Sequence, residues 1–555
     1  MGPLNRFVLI TIALLALSAG LRAQTPSTTT PTSLESVVDR IGQAESTLTS
    51  KMSTFHPVAE VYLQNLVFDR KVGGVPTRDD YYLGQFDNGG KTPLPPLSPS
   101  RGWFRPSGLM NRPFGLNYVP GGFAATTVPD RQMLERGRYE FVFVRREFIN
   151  EVRCLVFEVR PKAGDRDGFK GRIWVEDRDF NIVRFNGISR EADRSLSRLF
   201  RRKLTFHIDS WRVNVQPGVW LPAYVYFEET DFDDHPTPPQ IPRVRGQMRL
   251  WGYELKDKNA PSSFAAIQVG EGPVRDVSEQ AQPLTPVLNQ RRWETEAENN
   301  VLERLTGAGL LAPRGPVDTV LETVLNNLQI TNDVAFDPPL KCRVLLTSPL
   351  EAFTVGRTIV LSRGLIDVLP DEASLAMVLG HELAHVILGH LLIDTKFGFA
   401  DRLMIPDAAV VPTLRFTHTP EEEAEADAKL LELLGKSPYK DKLATAGLFL
   451  REVGGNAKTL ANLIEPHMGD YVIDEQQQLM ELIDKSPALA PERLDQTAAL
   501  PLGARVVMDP WSNGLDLLRA AAVPLSWARE KLPLAITPMT PYLRYAGSGA
   551  PTASR

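Results

Sequence analysis

The spacing of apolar residues divides the chain into two kinds of structure. From Tyr139 to Thr230, short runs of β-branched and aromatic residues are separated by turn residues, which is typical of an antiparallel sheet. Strands are predicted at 141–144, 154–159, 171–175, 182–185, 204–208 and 224–227. Residues 371–392 instead repeat apolar side chains at helical intervals. The pattern therefore predicts an α+β fold, in which an antiparallel β-rich domain precedes a mainly helical domain.

Changes in composition mark the other segments. Residues 1–23 combine a short basic start, an apolar run of signal-peptide length and small residues at a cleavage site. We expect a linker with an amphipathic helix, a β-rich domain, a connector, a helical domain and a C-terminal extension at 24–55, 56–270, 271–316, 317–500 and 501–555. The signal peptide predicts a periplasmic or secreted protein. No later stretch approaches the roughly twenty apolar residues that span a bilayer, so an integral membrane protein is not expected.

The overall composition is that of a folded, soluble protein. With 555 residues, of which 43% are hydrophobic and 23% charged, the chain can bury more than one core. The formal net charge of −5 gives no reason to expect nucleic acid as a partner. The two cysteines, Cys154 and Cys342, fall in different predicted domains, so two buried thiols are expected rather than a disulfide.

The strongest chemical signal is the run His381-Glu382-Leu383-Ala384-His385. It lies in a predicted helix for which Asp371 is the expected N-cap. Residues four apart share one face of a helix, so His381 and His385 can bind one metal ion while Glu382 reaches the attacking water. We therefore expect one zinc ion per chain as a cofactor, with Glu382 as a catalytic residue.

A catalytic zinc ion needs a third protein ligand and one open position. Thr419-Pro420-Glu421-Glu422 has the form of a capping box, which predicts a second helix with Glu423 and Asp427 on one face. We assign Glu423 as the third ligand, and Asp427 as the acceptor for the free ring N–H of a zinc-binding histidine. The alternative is that this acidic run is only the solvated start of a helix and supplies no metal ligand. His390 follows the motif at a spacing that points away from the metal face, so a packing or capping role is expected.

Together, His381-Glu382-x-x-His385 and Glu423-x-x-Ala426-Asp427 resemble the gluzincin zinc metallopeptidases that include HtpX and the CAAX prenyl proteases. The resemblance covers about residues 317–500 and implies a zincin domain with a small edge-strand sheet. It also implies a zinc-dependent endopeptidase that acts on unfolded or extended polypeptide, with Glu382 as the general base.

Leu350-Glu351-Ala352-Phe353 is similar to the Asn-Ala-Phe element of the same family, which lies beside bound peptide. The similarity implies that Ala352 and Phe353 belong to an edge strand that pairs with the substrate backbone. Glu351 stands where asparagine is usual. His467 follows Glu423 by 467 − 423 = 44 residues, where some family members carry a histidine near the zinc. It is expected to be a catalytic donor to the oxyanion, a cap on the resting metal, or an ordinary loop residue.

The strand order of the β-rich domain resembles the open half-barrels of LolA-like periplasmic carriers, whose concave face holds acyl chains. The alternative is a sheet that positions the substrate or packs on the peptidase domain. Arg190, Arg194, Arg198 and Arg202 repeat every four residues and form either a helix that lies on a membrane surface or a solvated helix face. Acyl chains or a membrane surface are therefore candidate partners of this domain.

The combined motifs favour a zinc-dependent metalloendopeptidase that serves protein quality control in the cell envelope. One alternative is a chaperone-like protein or a lipid- or lipoprotein-binding protein with a residual metal site. A purely structural zinc site is a further alternative, which the motif disfavours because it retains a general base and lacks a fourth protein ligand.

Overall fold

The computed structural model describes residues 33–52, 54–69, 73–85, 97, 127, 129, 137–149, 151–162, 168–190, 205–229, 244–253, 286–390, 407–457, 460–465, 467–471, 479–486, 506–508 and 515–517. The predicted signal peptide at 1–23 lies outside the described residues. The basic residues Arg194, Arg198 and Arg202 lie outside them as well.

A single sheet forms the N-terminal domain. Its strands are β1 Val58–Asp69, β2 Gly73–Gln85, β3 Tyr139–Ile149, β4 Val152–Pro161, β5 Gly168–Glu176, β6 Ile182–Arg190, β7 Thr205–Gln216, β8 Val219–Glu229 and β9 Val244–Trp251. They lie in the order β2-β1-β9-β8-β7-β6-β5-β4-β3, and every neighbouring pair is antiparallel. The predicted antiparallel β-rich domain is confirmed, and the six predicted strands correspond to β3–β8. Strands β1, β2 and β9 were not predicted.

Helix α1, Leu34–Met52, packs on one face of this sheet. Its residues Val38 and Ile41 are buried in one apolar core with side chains from the strands. Arg212 of β7 also donates a hydrogen bond from Nη2 to Oε2 of Glu45 at 2.9 Å. The two side chains are 0% and 4% exposed, so this ion pair is buried between helix and sheet. Helix α1 is therefore an integral part of the N-terminal domain.

Alternate residues of β1 face two different cores. Ala59 and Val61 belong to the core that contains α1, whereas Val58 and Tyr62 belong to the core of the C-terminal domain. This alternation follows from the strand period of two. The N-terminal sheet therefore packs against the C-terminal domain over the face opposite α1.

The C-terminal domain is mainly helical. Its helices are α2 Pro286–Gly307, α3 Pro316–Thr331, α4 Arg363–Val368, α5 Glu372–Leu388, α6 Asp407–Val410, α7 Pro420–Lys436, α8 Leu443–Asn456, α9 Ala461–Ile464 and α10 Met480–Lys485, with 3-10 turns at Val411–Thr413 and Lys440–Lys442. Among the described residues, no helix is both long enough and apolar enough to cross a membrane.

A small sheet accompanies these helices, which confirms the predicted fold class. Its strands are β10 Lys341–Leu345, β11 Glu351–Val355, β12 Thr358–Ser362 and β13 Asp470–Tyr471. They lie in the order β10-β12-β11-β13, with β10 parallel to β12 and the other pairs antiparallel. A short hairpin, β14 Val506–Met508 and β15 Leu515–Leu517, follows in the predicted C-terminal extension.

Two buried carboxylates connect the N-terminal sheet to the C-terminal domain. Asp79 accepts hydrogen bonds from the backbone N–H groups of Asn462 and Leu463, both at 3.0 Å. Glu60 accepts from the N–H of Ser348 at 2.6 Å and from its hydroxyl at 2.8 Å. Ser348 lies three residues before β11. The sheet domain therefore anchors the loop that leads into this strand.

Replacing Asp79 with alanine should lower the free energy of unfolding by about 2–4 kcal/mol, because the buried N–H of Leu463 and the half-buried N–H of Asn462 lose their acceptor. Urea unfolding of the full chain, followed by both tryptophan fluorescence and circular dichroism, measures this loss. Glu140→Ala is the control: its partner Arg160 is on the surface of the same sheet, and solvent screens an exposed pair of this kind, so its loss should change the stability little. Equal stability of the two variants would contradict the structural role of Asp79.

Candidate metal centre

Helix α5 carries the three residues of the motif in its interior. It begins after Asp371, whose side chain accepts a hydrogen bond from the N–H of Ser374 at 2.9 Å. This is the N-cap that the sequence predicts. His381, Glu382 and His385 therefore lie in regular helix, where residues four apart share a face. The two imidazoles are consequently on the same face of α5.

Helix α7 begins at Pro420, as the capping box predicts. The N–H of Thr419 donates to Oε2 of Glu422 at 2.9 Å, and the N–H of Glu422 donates to Oγ1 of Thr419 at 3.3 Å. This reciprocal pair satisfies two of the N–H groups that a helix start leaves without a partner. The box thus fixes the residue at which α7 begins. Glu423 and Asp427, four residues apart, then lie on one face of this helix.

Small residues bring α5 and α7 together. A Cβ atom on Gly380 would lie only 2.7 Å from Cδ1 of Leu430, and Ala426 is fully buried. Larger side chains at these two positions would push the helices apart, since protein interiors are close-packed. The close approach allows α7 to present Glu423 and Asp427 to the histidines of α5.

The ligand atoms of His381, His385 and Glu423 converge on one point. Nε2 of His381 lies 3.1 Å from Nε2 of His385 and 3.2 Å from Oε2 of Glu423. Oε1 of Glu423 lies 3.5 Å from Nε2 of His385 and, within the described structure, is buried without a hydrogen-bond partner. A cation between these atoms would satisfy the carboxylate oxygen and both facing ring nitrogens. The three residues therefore fit a divalent metal ion.

The two histidines differ in their electrostatic surroundings. Burial lowers the pKa of His381, but the hydrogen bonds and charges of Asp427 and Glu423 outweigh it and raise this pKa well above its usual value. Burial, together with His381, His418 and His390, lowers the pKa of His385. His385 is thus held neutral, the state in which an imidazole can coordinate a metal.

Hydrogen bonds orient both His381 and the motif glutamate. Nδ1 of His381 lies 3.0 Å from Oδ1 of Asp427, so the carboxylate can fix the tautomer that leaves Nε2 as the ligand atom. Glu382 is buried, and its Oε2 accepts a hydrogen bond from the hydroxyl of Thr354 at 2.7 Å. Thr354 was not predicted as a site residue. Its only signal in the sequence is its position directly after Phe353.

The structure places Ala352 and Phe353 on β11, and β13 pairs with part of this strand. Ala352 lies opposite Asp470 in the antiparallel ladder, and the ring of Phe353 stacks on Phe416 at a centroid distance of 4.6 Å. Residues 353–355 have no partner in that ladder among the described residues. The backbone edge expected to bind substrate is thus partly covered by the protein's own chain, and its pairing with substrate stays a prediction.

Glu351 and His467 meet at the same place. Oε2 of Glu351 accepts from the backbone N–H groups of His467, Met468 and Gly469 at 3.0, 2.9 and 3.4 Å. The carboxylate that replaces the usual asparagine therefore holds this segment against β11. The imidazole of His467 is 3.1 Å from the carbonyl oxygen of Asn462 through Nε2 and packs on Tyr81. A role in oxyanion binding or in metal capping stays a prediction.

Two further histidines, which the sequence did not identify as site residues, pack against His385. Nδ1 of His390 lies 3.1 Å from Nδ1 of His385, and the ring of His418 stacks on His385 at a centroid distance of 3.7 Å. As the sequence predicts, His390 has a packing role: it contacts Nδ1 of His385, whereas Nε2 of that ring faces His381 and Glu423. Helix α5 ends at Gly389 in the left-handed conformation, so helical spacing no longer applies to the next residue.

Comparisons with known proteins agree with this geometry. Residues 316–439 match the model of peptidase family M48, and the matched region contains His381, Glu382, His385 and Glu423. This confirms the resemblance to the zincin metallopeptidases and supports metallopeptidase function. No curated protein matches the chain. Among solved structures, a LolA superfamily protein from Nitrosomonas europaea is a weak neighbour: 14% identity, a TM-score of 0.18, and coverage of 39% of this chain and 91% of that one.

Proposed function

We propose that the protein is a zinc-dependent metalloendopeptidase that hydrolyses peptide bonds in extended or unfolded polypeptides. The observation that carries the proposal is the convergence of His381, His385 and Glu423 within 4.8 Å beside the buried Glu382. Two imidazoles and one carboxylate form a three-ligand set that leaves a coordination position open, as catalytic zinc sites require.

Each residue of the site has a separate role in the proposed reaction. Zinc, when bound, would activate a water molecule and polarise the scissile carbonyl. Glu382 takes the proton of the attacking water and delivers it to the leaving amine. Thr354 restrains the carboxylate of Glu382 by its hydrogen bond of 2.7 Å. Asp427 keeps the ring of His381 in the orientation that directs Nε2 towards the ligand atoms of His385 and Glu423.

Strand β11 is the proposed binding surface for the substrate backbone. It runs next to the catalytic group, since Thr354 of β11 contacts Glu382. Its pairing with β13 at Ala352 and Asp470 supports the idea that this edge accepts an antiparallel chain. Main-chain hydrogen bonds of this kind favour extended polypeptides with little dependence on side-chain identity. Such selectivity suits protein quality control.

The proposed location is the periplasm or the exterior of the cell, and the predicted signal peptide at 1–23 is its support. In that setting the N-terminal sheet positions the peptidase loops through Asp79 and Glu60. Helix α1 already packs on the opposite sheet face. Binding of acyl chains or of a membrane surface by this domain stays a prediction.

Incubation of the mature chain with unfolded casein tests the proposal. We expect cleavage that a chelator abolishes and added zinc restores. Cleavage that persists with the chelator present would refute the metal dependence. Binding of casein without cleavage, with zinc present, would favour the chaperone-like alternative.

A further inference from the structure

The end of helix α5 folds His390 back against His385. Gly389 has φ = 79°, and the N–H of His390 donates to the carbonyl oxygen of His385 at 3.0 Å. This left-handed turn ends the helical spacing and brings residue 390 against the last turns of the motif helix. The imidazole of His390 consequently meets that of His385, with ring centroids 5.3 Å apart and Nδ1 atoms 3.1 Å apart.

Only one arrangement of protons satisfies these contacts if His385 is a metal ligand. Its Nε2 belongs to the ligand group with His381 and Glu423, so the neutral ring carries its proton on Nδ1. Nδ1 of His390 must then accept that proton, which leaves the proton of His390 on Nε2. That nitrogen lies 3.4 Å from Oε2 of Glu425, a suitable acceptor.

His418 holds the same assembly from the other side. Its Nε2 is 3.0 Å from the carbonyl oxygen of His390, and its side chain is fully buried. The side chain of His390 is only 10% exposed, whereas that of Glu425 is 67% exposed. The imidazole pair is thus enclosed, and solvent screens the carboxylate at its outer end.

We propose that His390 is a positioning residue that fixes the tautomer and ring angle of His385, with Glu425 as the acceptor behind it. The proposal rests on the proposed function for the presence of a metal ion. His381 has Asp427 in the corresponding position, at 3.0 Å. The two metal histidines are therefore oriented by different groups, one by a carboxylate and the other by an imidazole.

Zinc affinity of the full chain, measured by competition with a chromogenic chelator, tests the proposal without any activity assay. His390→Leu keeps bulk but removes the acceptor, and it should weaken zinc binding about 10–100-fold, the usual loss for an outer hydrogen-bonding partner. His390→Asn places an acceptor oxygen near the position of Nδ1 and should recover most of that loss. Glu421→Ala, an exposed change at the start of α7, should bind zinc like the wild type.

A second readout separates positioning from general damage. The visible spectrum of the cobalt-substituted protein reports ligand geometry, and it should change in His390→Leu but not in Glu421→Ala. Wild-type zinc affinity together with an unchanged cobalt spectrum in His390→Leu overturns the role of His390 and leaves the proposed function intact. If Asn and Leu weaken binding equally, bulk packing is responsible and the proposal also fails. A wild-type chain that binds no zinc refutes the proposed function, and this inference with it.

Discussion

Replacement of Glu382 by glutamine should retain zinc and the fold while lowering peptide hydrolysis by about 10²–10⁴-fold, the range for loss of a general base. The amide is nearly isosteric with the carboxylate, but it cannot accept the water proton. Zinc content and casein cleavage measured on the same preparation check both halves of the prediction.

Glu432→Gln is a suitable control for this variant. Glu432 lies on α7, its side chain is 47% exposed, and it pairs with Lys429 and Lys436 at the surface. Activity in this control should stay near that of the wild type. Wild-type turnover in Glu382→Gln would contradict the assigned mechanism, because the amide cannot serve as the general base.

Replacement of Glu423 by alanine should have the largest effect on metal binding. It removes a charged ligand from the group formed with His381 and His385, so the affinity for zinc should fall by more than the roughly 10–100-fold typical of an outer partner. Equilibrium competition with a chelator measures the change. The loss of metal should abolish casein cleavage in parallel.

The neighbouring acidic residues of α7 supply the contrast. Glu421→Ala alters the same helix start without touching the ligand group and should retain zinc. Full zinc occupancy and unchanged affinity in Glu423→Ala would mean that another residue is the third ligand. Asp427 and Glu425 would then be the next candidates.

Several features of the site could be predicted because they depend on short stretches of chain. The spacing of His381 and His385 places them on one helix face whatever surrounds the helix. The caps at Asp371 and Thr419 use partners three residues away. These contacts form within one helical turn, so the sequence predicts them directly.

The missed strands show why other features could not be predicted. Strands β1 and β2 contain the buried polar residues Glu60 and Asp79, which interrupt the apolar alternation expected of a strand. Their partners, Ser348 and Asn462, are 288 and 383 residues away in the sequence. A buried carboxylate is stable only with such partners, and no local pattern identifies them.

Periodicity and capping are local, so the amino-acid pattern is enough to predict the metal-binding motif, the two helices that carry it and the antiparallel character of the β-rich domain. How these parts meet depends instead on tertiary contacts. Gly380 and Ala426 allow α5 and α7 to approach, which brings Glu423 to the histidines. The left-handed Gly389 returns His390 to His385, and Glu351 holds the segment that pairs with β11. Each of these contacts depends on close packing between segments that are distant in sequence or on a break in helical spacing, which periodicity alone does not encode.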